Sequence, residues 1–291
     1  MPSADARAVS WEGAVEWLRK QPDKQDLVRA SYFDDPLLAA AERFAASDEW
    51  QATLAELPEP PGGKALDLGA GRGISSFALA RAGWLVSALE PDPSGVVGAN
   101  AIRALTEESK LPITVFQTYA ENLPFPDAHF DLVYGRQVLH HARDLEQLCR
   151  EVFRVLKPGG TFMATREHVI DNREASLQAF LERHPLHQLY GGENAFLLKE
   201  YDDAISTAGL DMIKRFRPYE TAINFSEPSR AQQHEKYRMA LASVAGRGVS
   251  SVIWRVPFVR EPLVRTAAWV LNNFSRYPGR LFSFVAKKPG R

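Results

Sequence analysis

The stretch KALDLGAGRG, Lys64–Gly73, decides the fold. It joins a short apolar run to a bend with three alternating glycines and places one acid, Asp67, just ahead of them. A buried parallel strand hands over to a helix beside a bound ligand in this way. The spacing Gly69-x-Gly71-x-Gly73 removes Cβ atoms where the backbone must turn tightly and lie against something bulky. The identity of that ligand has to come from the rest of the chain.

Downstream of the bend the pattern alternates. Ile74–Arg81 reads as a short helix, WLVSALE (Trp84–Glu90) as a second strand, and Ser94 to Leu105 as a helix with Pro93 and Ser94 in its opening turn. ITVFQ is a third strand and FDLVYG, Phe130–Gly135, a fourth. Asp144 caps the next helix, with Gln147 completing a capping box and Leu145, Leu148, Val152, Val155 and Leu156 forming its apolar stripe. Lys157-Pro158-Gly159-Gly160 stops that helix, and TFMATRE is a fifth strand. A further helix is marked by Leu198, Tyr201, Ile205 and Ala208 and closed by Gly209; DMIKRF follows as a sixth strand and LFSFVAKKP, Leu281–Pro289, as the last. Strand–helix alternation with short links predicts a parallel sheet covered by helices.

Upstream, Trp11, Val15 and Leu18 recur at helical spacing, and a second helix is expected to start with Asp35 as cap and Pro36 at its first position, carrying Phe44, Ala45 and Trp50. PEPPGG, Pro58–Gly63, reads as the linker that ends this preface. The expected organisation is an N-terminal helical extension over 1–57, a ligand-binding domain over 58–217 and 279–291, and a helical insertion over 218–278.

Composition narrows the partners. The net charge is −1, which argues against a nucleic-acid-coating protein. Pro228–Arg280, however, holds nine basic residues against Glu235 and Glu261, a local charge of +7. The single cysteine, Cys149, forbids an intrachain disulfide and reads as a buried small residue. The first thirty residues carry Glu12, Glu16, Asp23 and Asp26 with no apolar core, so no secretory leader is expected. A cytoplasmic location is the expectation.

A glycine-rich turn alone does not separate one nucleotide ligand from another; the dinucleotide fingerprint is G-x-G-x-x-G, whereas these glycines alternate strictly. Glu90 ends the second strand, where a carboxylate can accept both hydroxyls of an adenosine ribose. Four motifs then fall in order: ALDLGAGRG (Ala65–Gly73), ALEPDP (Ala88–Pro93), AENLPFPDAHFDLVYGRQVLHH (Ala120–His141) and EVFRVLKPGGTFMAT (Glu151–Thr165). In these the sequence resembles the class I S-adenosylmethionine-dependent methyltransferases, in particular the small-molecule group that includes ubiquinone and menaquinone biosynthesis enzymes. The resemblance covers about Lys64 to Glu167.

The resemblance implies an α/β, Rossmann-like, seven-stranded sheet whose last strand is antiparallel, with S-adenosylmethionine as cofactor and S-adenosylhomocysteine as product. It implies a cofactor site made of Asp67, Gly69, Ala70, Gly71, Gly73, Glu90, Pro91, Ala120, Glu121, Gly135 and Arg136. Asp67 would meet the methionine amino group, Glu90 the ribose, Ala120 and Glu121 the adenine, and Gly135 with Arg136 the methionine portion. Tyr119 stands where family members often have an acid.

Methyl transfer needs a nucleophile held in line and, for some acceptors, a base. Candidates lie where the fourth and fifth strands end, namely His140, His141 and His168. His168 is the first choice for the base, with Glu167 beside it to orient it, and His141 the second. HPLH, His184–His187, lacks a third nearby ligand and is not read as a metal site. Gly191-Gly192 in YGGENAFLL are a possible hinge.

The insertion mixes Trp254, Phe258, Trp269 and Phe274 with arginines, and the resemblance implies that such material caps the site. A basic, aromatic cap fits an anionic acceptor, small or linked to lipid or glycan. It also fits a peripheral contact with an anionic membrane, or a homodimer contact. Oxygen is the expected acceptor atom and carbon the next. A nicotinamide dehydrogenase is disfavoured by the glycine spacing, and a noncatalytic adenosyl-ligand-binding or scaffold protein is the alternative from another class.

Overall fold

The computed structural model describes residues 9–59, 62–183, 185–190, 194–225 and 229–290. The chain opens with four helices, α1 (Trp11–Arg19), α2 (Gln25–Ala30), α3 (Leu37–Ala45) and α4 (Asp48–Leu54). Alternation follows as β1 (Lys64–Leu68), α5 (Ile74–Arg81), β2 (Leu85–Leu89), α6 (Ala99–Ser109), β3 (Ile113–Phe116), β4 (Phe130–Arg136), α7 (Leu145–Val155) and β5 (Leu156–Ile170). Next come α8 (Ala175–Leu181), α9 (Pro185–Tyr190), β6 (Phe196–Leu197), α10 (Leu198–Thr207) and β7 (Asp211–Phe216). Three helices, α11 (Arg230–Ala245), α12 (Arg247–Trp254) and α13 (Pro257–Phe274), precede β8 (Arg280–Lys287).

The strands form one sheet in the order β3-β2-β1-β4-β5-β8-β7, with the two-residue β6 on β5 as an eighth strand. β8 runs antiparallel to both β5 and β7 and the other pairs are parallel, so the expected antiparallel last strand is inserted between its neighbours. Each face is apolar. Leu66, Leu68, Val133 and Phe162 face the stripe of α7, where Leu145, Leu148, Cys149, Val152 and Val155 are buried. Ala65, Leu132, Tyr134 and Met163 face α5 and α3 on the other side. Burying one such leucine or valine is worth about 1.5–3 kcal/mol, so the two sandwiched layers fix where the strand ends lie.

Helix starts differ from expectation where a side chain has a distant partner. α3 begins at Leu37 with Pro36 at its cap position, because the Asp35 carboxylate is drawn to Arg19 and Arg72 instead of capping. The expected single helix is two, broken at Ser47, whose hydroxyl accepts the Trp50 N–H at 3.1 Å. α6 starts at Ala99, five residues later than expected, since Ser94 Oγ accepts the N–H groups of Val96 and Val97 and closes a turn instead. Asp144 caps α7 at 2.8 Å, but Gln147 reaches the Glu121 carbonyl, so only half of the capping box forms. β5 starts directly at Leu156 and carries Lys157–Gly160 as an irregularity in its pairing with β4. Among the described residues, no helix is long and apolar enough to cross a membrane.

Candidate active site

The carboxyl ends of β1, β2, β4 and β5 converge, and the loops leaving them build the site. Gly69, Gly71 and Gly73 have φ of 56°, 56° and 84°, a left-handed run that an L side chain resists. A Cβ on Gly69 would lie 2.3 Å from Val138 Cγ2, so the glycine is required by packing as well as by φ. A Cβ on Gly71 would meet nothing nearer than the Val97 carbonyl at 4.0 Å, which leaves open space above that residue. Arg72, only 6% exposed, donates to the carbonyls of Tyr32 and Asp34 and pairs with Asp35, binding the segment before α3 to the glycine loop.

Two carboxylates bracket this loop. Asp67 is fully buried, and Ser75 and Ser76 both donate to its Oδ2, at 2.8 and 2.6 Å. Its Oδ1 is buried with no hydrogen-bond partner among the described residues. Glu90 accepts the Gly71 N–H at 2.8 Å and the Asp92 N–H at 3.0 Å, which holds the loops after β1 and β2 together. Burial pushes Asp67 up to about 6 and Glu90 up to about 7, the latter despite its two backbone donors and with a further push from Asp92 and Asp67. An orphaned acceptor at Asp67, a second carboxylate at Glu90 and a cradle that admits a group over Gly71 fit the amino end and ribose of an adenosyl amino acid.

The sign of the pH effect follows from these shifts. A ligand that donates hydrogen bonds to Glu90 and Asp67 favours their ionised forms, so its binding is weakened wherever they are protonated. Affinity for S-adenosylhomocysteine is therefore expected to rise by about tenfold from pH 6 to pH 8, as Glu90 ionises near 7. Calorimetric titration across that range measures it; a flat profile would remove Glu90 from the ligand's contacts.

The other expected positions are placed as follows. Pro91 follows Glu90, and Ala70 donates its N–H to the Leu89 carbonyl at 2.9 Å within the same loop pair. Ala120 packs on the core beneath, while the Glu121 carboxylate accepts the Arg143 N–H at 3.0 Å. Tyr119 is 54% exposed with the Arg143 guanidinium 4.8 Å above its ring. Gly135 sits under Val138, whose Cγ1 would be 2.6 Å from an added Cβ. The Arg136 guanidinium turns to the preface: it holds Glu49 at 2.6 and 3.2 Å and Gln137 at 2.9 Å. Arg166 lies 3.6 Å from the same Glu49 and donates to the carbonyls of Ile223 and Phe225. Glu49 thus fastens α4 to the end of β4 and to β5, a pairing that no local spacing announces. Gln137 (φ 56°), just past β4, and Arg166 (φ 60°), at the irregularity of β5 between Ala164 and Glu167, are left-handed non-glycine residues. Such conformations cost of order 1–3 kcal/mol and concentrate where function needs them.

The histidines are arranged differently from expectation. Glu167 is fully buried. Its carboxylate crosses to the β4 loop, accepting the N–H groups of Val138 and His140 at 3.0 and 3.1 Å and contacting His140 Nδ1 at 2.7 Å. A carboxylate on Nδ1 favours the tautomer that carries its proton there. His140 is 2% exposed, and its ring lies 4.2 Å from His141 and 4.7 Å from His168 between centroids. His168 Nδ1 faces the Gly279 carbonyl at 3.1 Å, and its ring touches Phe180. Sequence reading missed the Glu167–His140 pair; an acid at the end of β5, next to the β4 exit in a parallel sheet, is the signal that could have found it. Among the described residues no group of three or more His, Cys, Asp or Glu side chains is placed to hold a metal ion. His184 and the Gly191-Gly192 hinge lie outside the described residues. Cys149 is buried, and burial pushes its thiol up to about 12, so it is not a nucleophile at neutral pH.

Residues 66–164 match the methyltransferase domain family. Dimethylglycine N-methyltransferase of Parasynechococcus marenigrum is 37% identical over 143 residues, which covers 47% of this chain and 50% of that one. Ubiquinone biosynthesis O-methyltransferase of a Methylobacterium species is 33% identical over 108 residues, 37% of this chain and 42% of that one. Among solved structures, geranyl diphosphate C-methyltransferase from Streptomyces coelicolor shares the fold with a TM-score of 0.57 at 14% identity, over 89% of this chain and 87% of that one. The chain spans about half the length, or less, of these two curated relatives. Residues 66–164 thus match a methyltransferase domain, and the chain resembles the quinone methyltransferases that carry one.

Proposed function

We propose that this chain, built around a methyltransferase domain, transfers the methyl group of S-adenosylmethionine to a hydroxyl oxygen of a small-molecule acceptor, with His140 as the base. The observation that carries the reading is the buried Glu167–His140 pair, joined to the glycine loop through one residue. Val138 packs over Gly69 and Gly135 and gives its N–H to Glu167, so the base and the cofactor cradle share a wall.

When bound, the cofactor supplies a methyl group already activated as a sulfonium. The chain's residues do the rest. Asp67 Oδ1 would hold the amino group and Glu90 the ribose hydroxyls, and the open space over Gly71 would let the ligand lie close to the backbone. Glu167 keeps the His140 proton on Nδ1, so Nε2 can take the proton that a hydroxyl loses as it is methylated; the carboxylate then stabilises the imidazolium. Burial of both groups keeps competing water away from the exchange. An acceptor amine that is already deprotonated would not need this pair, which is why the reading places oxygen ahead of nitrogen. The relatives include N-, O- and C-methyltransferases by name, so they support methyl transfer and leave the atom to the site.

The test is incubation of the protein with methyl-labelled S-adenosylmethionine and a panel of phenols, sugar hydroxyls, amines and carbon acids. Label on hydroxyl acceptors alone supports the reading. Label on amines alone contradicts the base assignment, and no transfer to any acceptor despite cofactor binding favours a noncatalytic role.

A further inference from the structure

We infer that the outward face of α13 docks on an anionic lipid bilayer. α13 has no buried residue along its whole length, although its sequence is largely apolar. At 3.6 residues per turn, Phe258, Leu263, Trp269, Val270 and Phe274 fall on the half turned to solvent. Their exposures run from 38% to 81%, with Phe258 at 81%, Phe274 at 68% and Trp269 at 60%. A solvent-facing helix side is ordinarily charged or polar; this one is aromatic and aliphatic. α11 and α12 are its helical neighbours, and no residue of α13 is buried against them.

The charge around this face selects the occupant. Arg255, Arg265 and Arg276 are exposed within or next to this helix; Glu261, paired with Arg260, is the acid close enough to Arg265 to interact with it. The whole segment from Pro228 to Arg280 carries +7 in a chain of net −1. A second copy would set this positive face against itself under two-fold symmetry, which disfavours it. An anionic bilayer supplies the opposite charge and an apolar layer into which Phe and Trp rings insert from a helix lying flat. No helix among the described residues is long and apolar enough to span, so the contact is peripheral. The inference stands independently of the acceptor and of the base, and its test needs neither.

The protein is sedimented with vesicles of phosphatidylcholine alone and of phosphatidylcholine with phosphatidylglycerol. Three exposed arginines, each contributing roughly a fivefold factor near an anionic surface, predict about a hundredfold tighter partitioning onto the anionic vesicles. Trp269→Ser with Phe274→Ser should abolish binding to both, and Arg265→Glu with Arg276→Glu should remove the preference for anionic lipid. All four side chains are exposed, so the melting temperature of each variant should match the parent. Failure to bind anionic vesicles would overturn the inference. So would binding unchanged in the Trp269 and Phe274 variant, or a concentration-dependent dimer in the absence of lipid that the same variant dissolves.

Discussion

His140→Gln is expected to lower kcat by about two to four orders of magnitude, the range that a positioned general base supplies, while leaving S-adenosylhomocysteine affinity nearly unchanged. Glutamine is chosen because its amide can still donate to the Glu167 carboxylate, so that buried group keeps a partner and the fold is spared an uncompensated charge. Thermal melting checks that the variant is folded, and single-turnover rates with a hydroxyl acceptor measure the loss. Glu167→Gln should act through His140: kcat falls and the pH–rate profile changes shape, because an amide no longer fixes which ring nitrogen holds the proton. His168→Ala, whose imidazole faces the Gly279 carbonyl, should keep kcat within about tenfold of the parent. If His168→Ala were as damaging as His140→Gln, the base would have to be reassigned to His168.

Gly69→Val is expected to destroy cofactor binding and to destabilise the protein together. An L residue held at φ 56° costs about 1–2 kcal/mol, and a β-branched side chain 2.3 Å from Val138 Cγ2 adds about 1–3 kcal/mol of overpacking. The loop must move to relieve both, taking the Gly71 N–H off Glu90. Denaturant titration should show about 2–5 kcal/mol lost, and affinity for S-adenosylhomocysteine should fall by more than about a hundredfold, equivalent to the loss of two ordinary contacts. Gly71→Ala provides the contrast. Its added methyl meets no protein atom closer than 4.0 Å, so stability should fall only by the backbone strain. A large loss of affinity in that variant, at small cost to stability, would mean that ligand occupies the space over Gly71. Unchanged affinity would mean that it does not.

These two sites were legible in the sequence to different depths. The glycine loop, Asp67 and Glu90 were readable because strand–turn–helix order and the acid at the end of β2 are local patterns, and the sheet follows from the same alternation. The antiparallel place of β8 came only from resemblance, since nothing local in LFSFVAKKP names its neighbours. What escaped is what depends on contacts between distant positions. Asp35 looked like a helix cap and is held by Arg19 and Arg72 instead. Glu49, which the sequence did not single out, is the counter-ion of Arg136, eighty-seven positions away. Glu167 was read beside His168, and its carboxylate also reaches His140 on the neighbouring β4 loop, a contact that adjacency along the chain does not reveal. The uncovered face of α13 was visible only as a mixture of aromatics and arginines until the helix was placed.

The measurement that tests the account most directly is a calorimetric titration of the protein with S-adenosylhomocysteine and, separately, with NADH. One site for the adenosyl ligand is expected, with affinity rising from pH 6 to pH 8 as Glu90 ionises, and no heat with NADH. Binding of NADH without S-adenosylhomocysteine would contradict it, and the loop Gly69–Gly73 would then be a dinucleotide site.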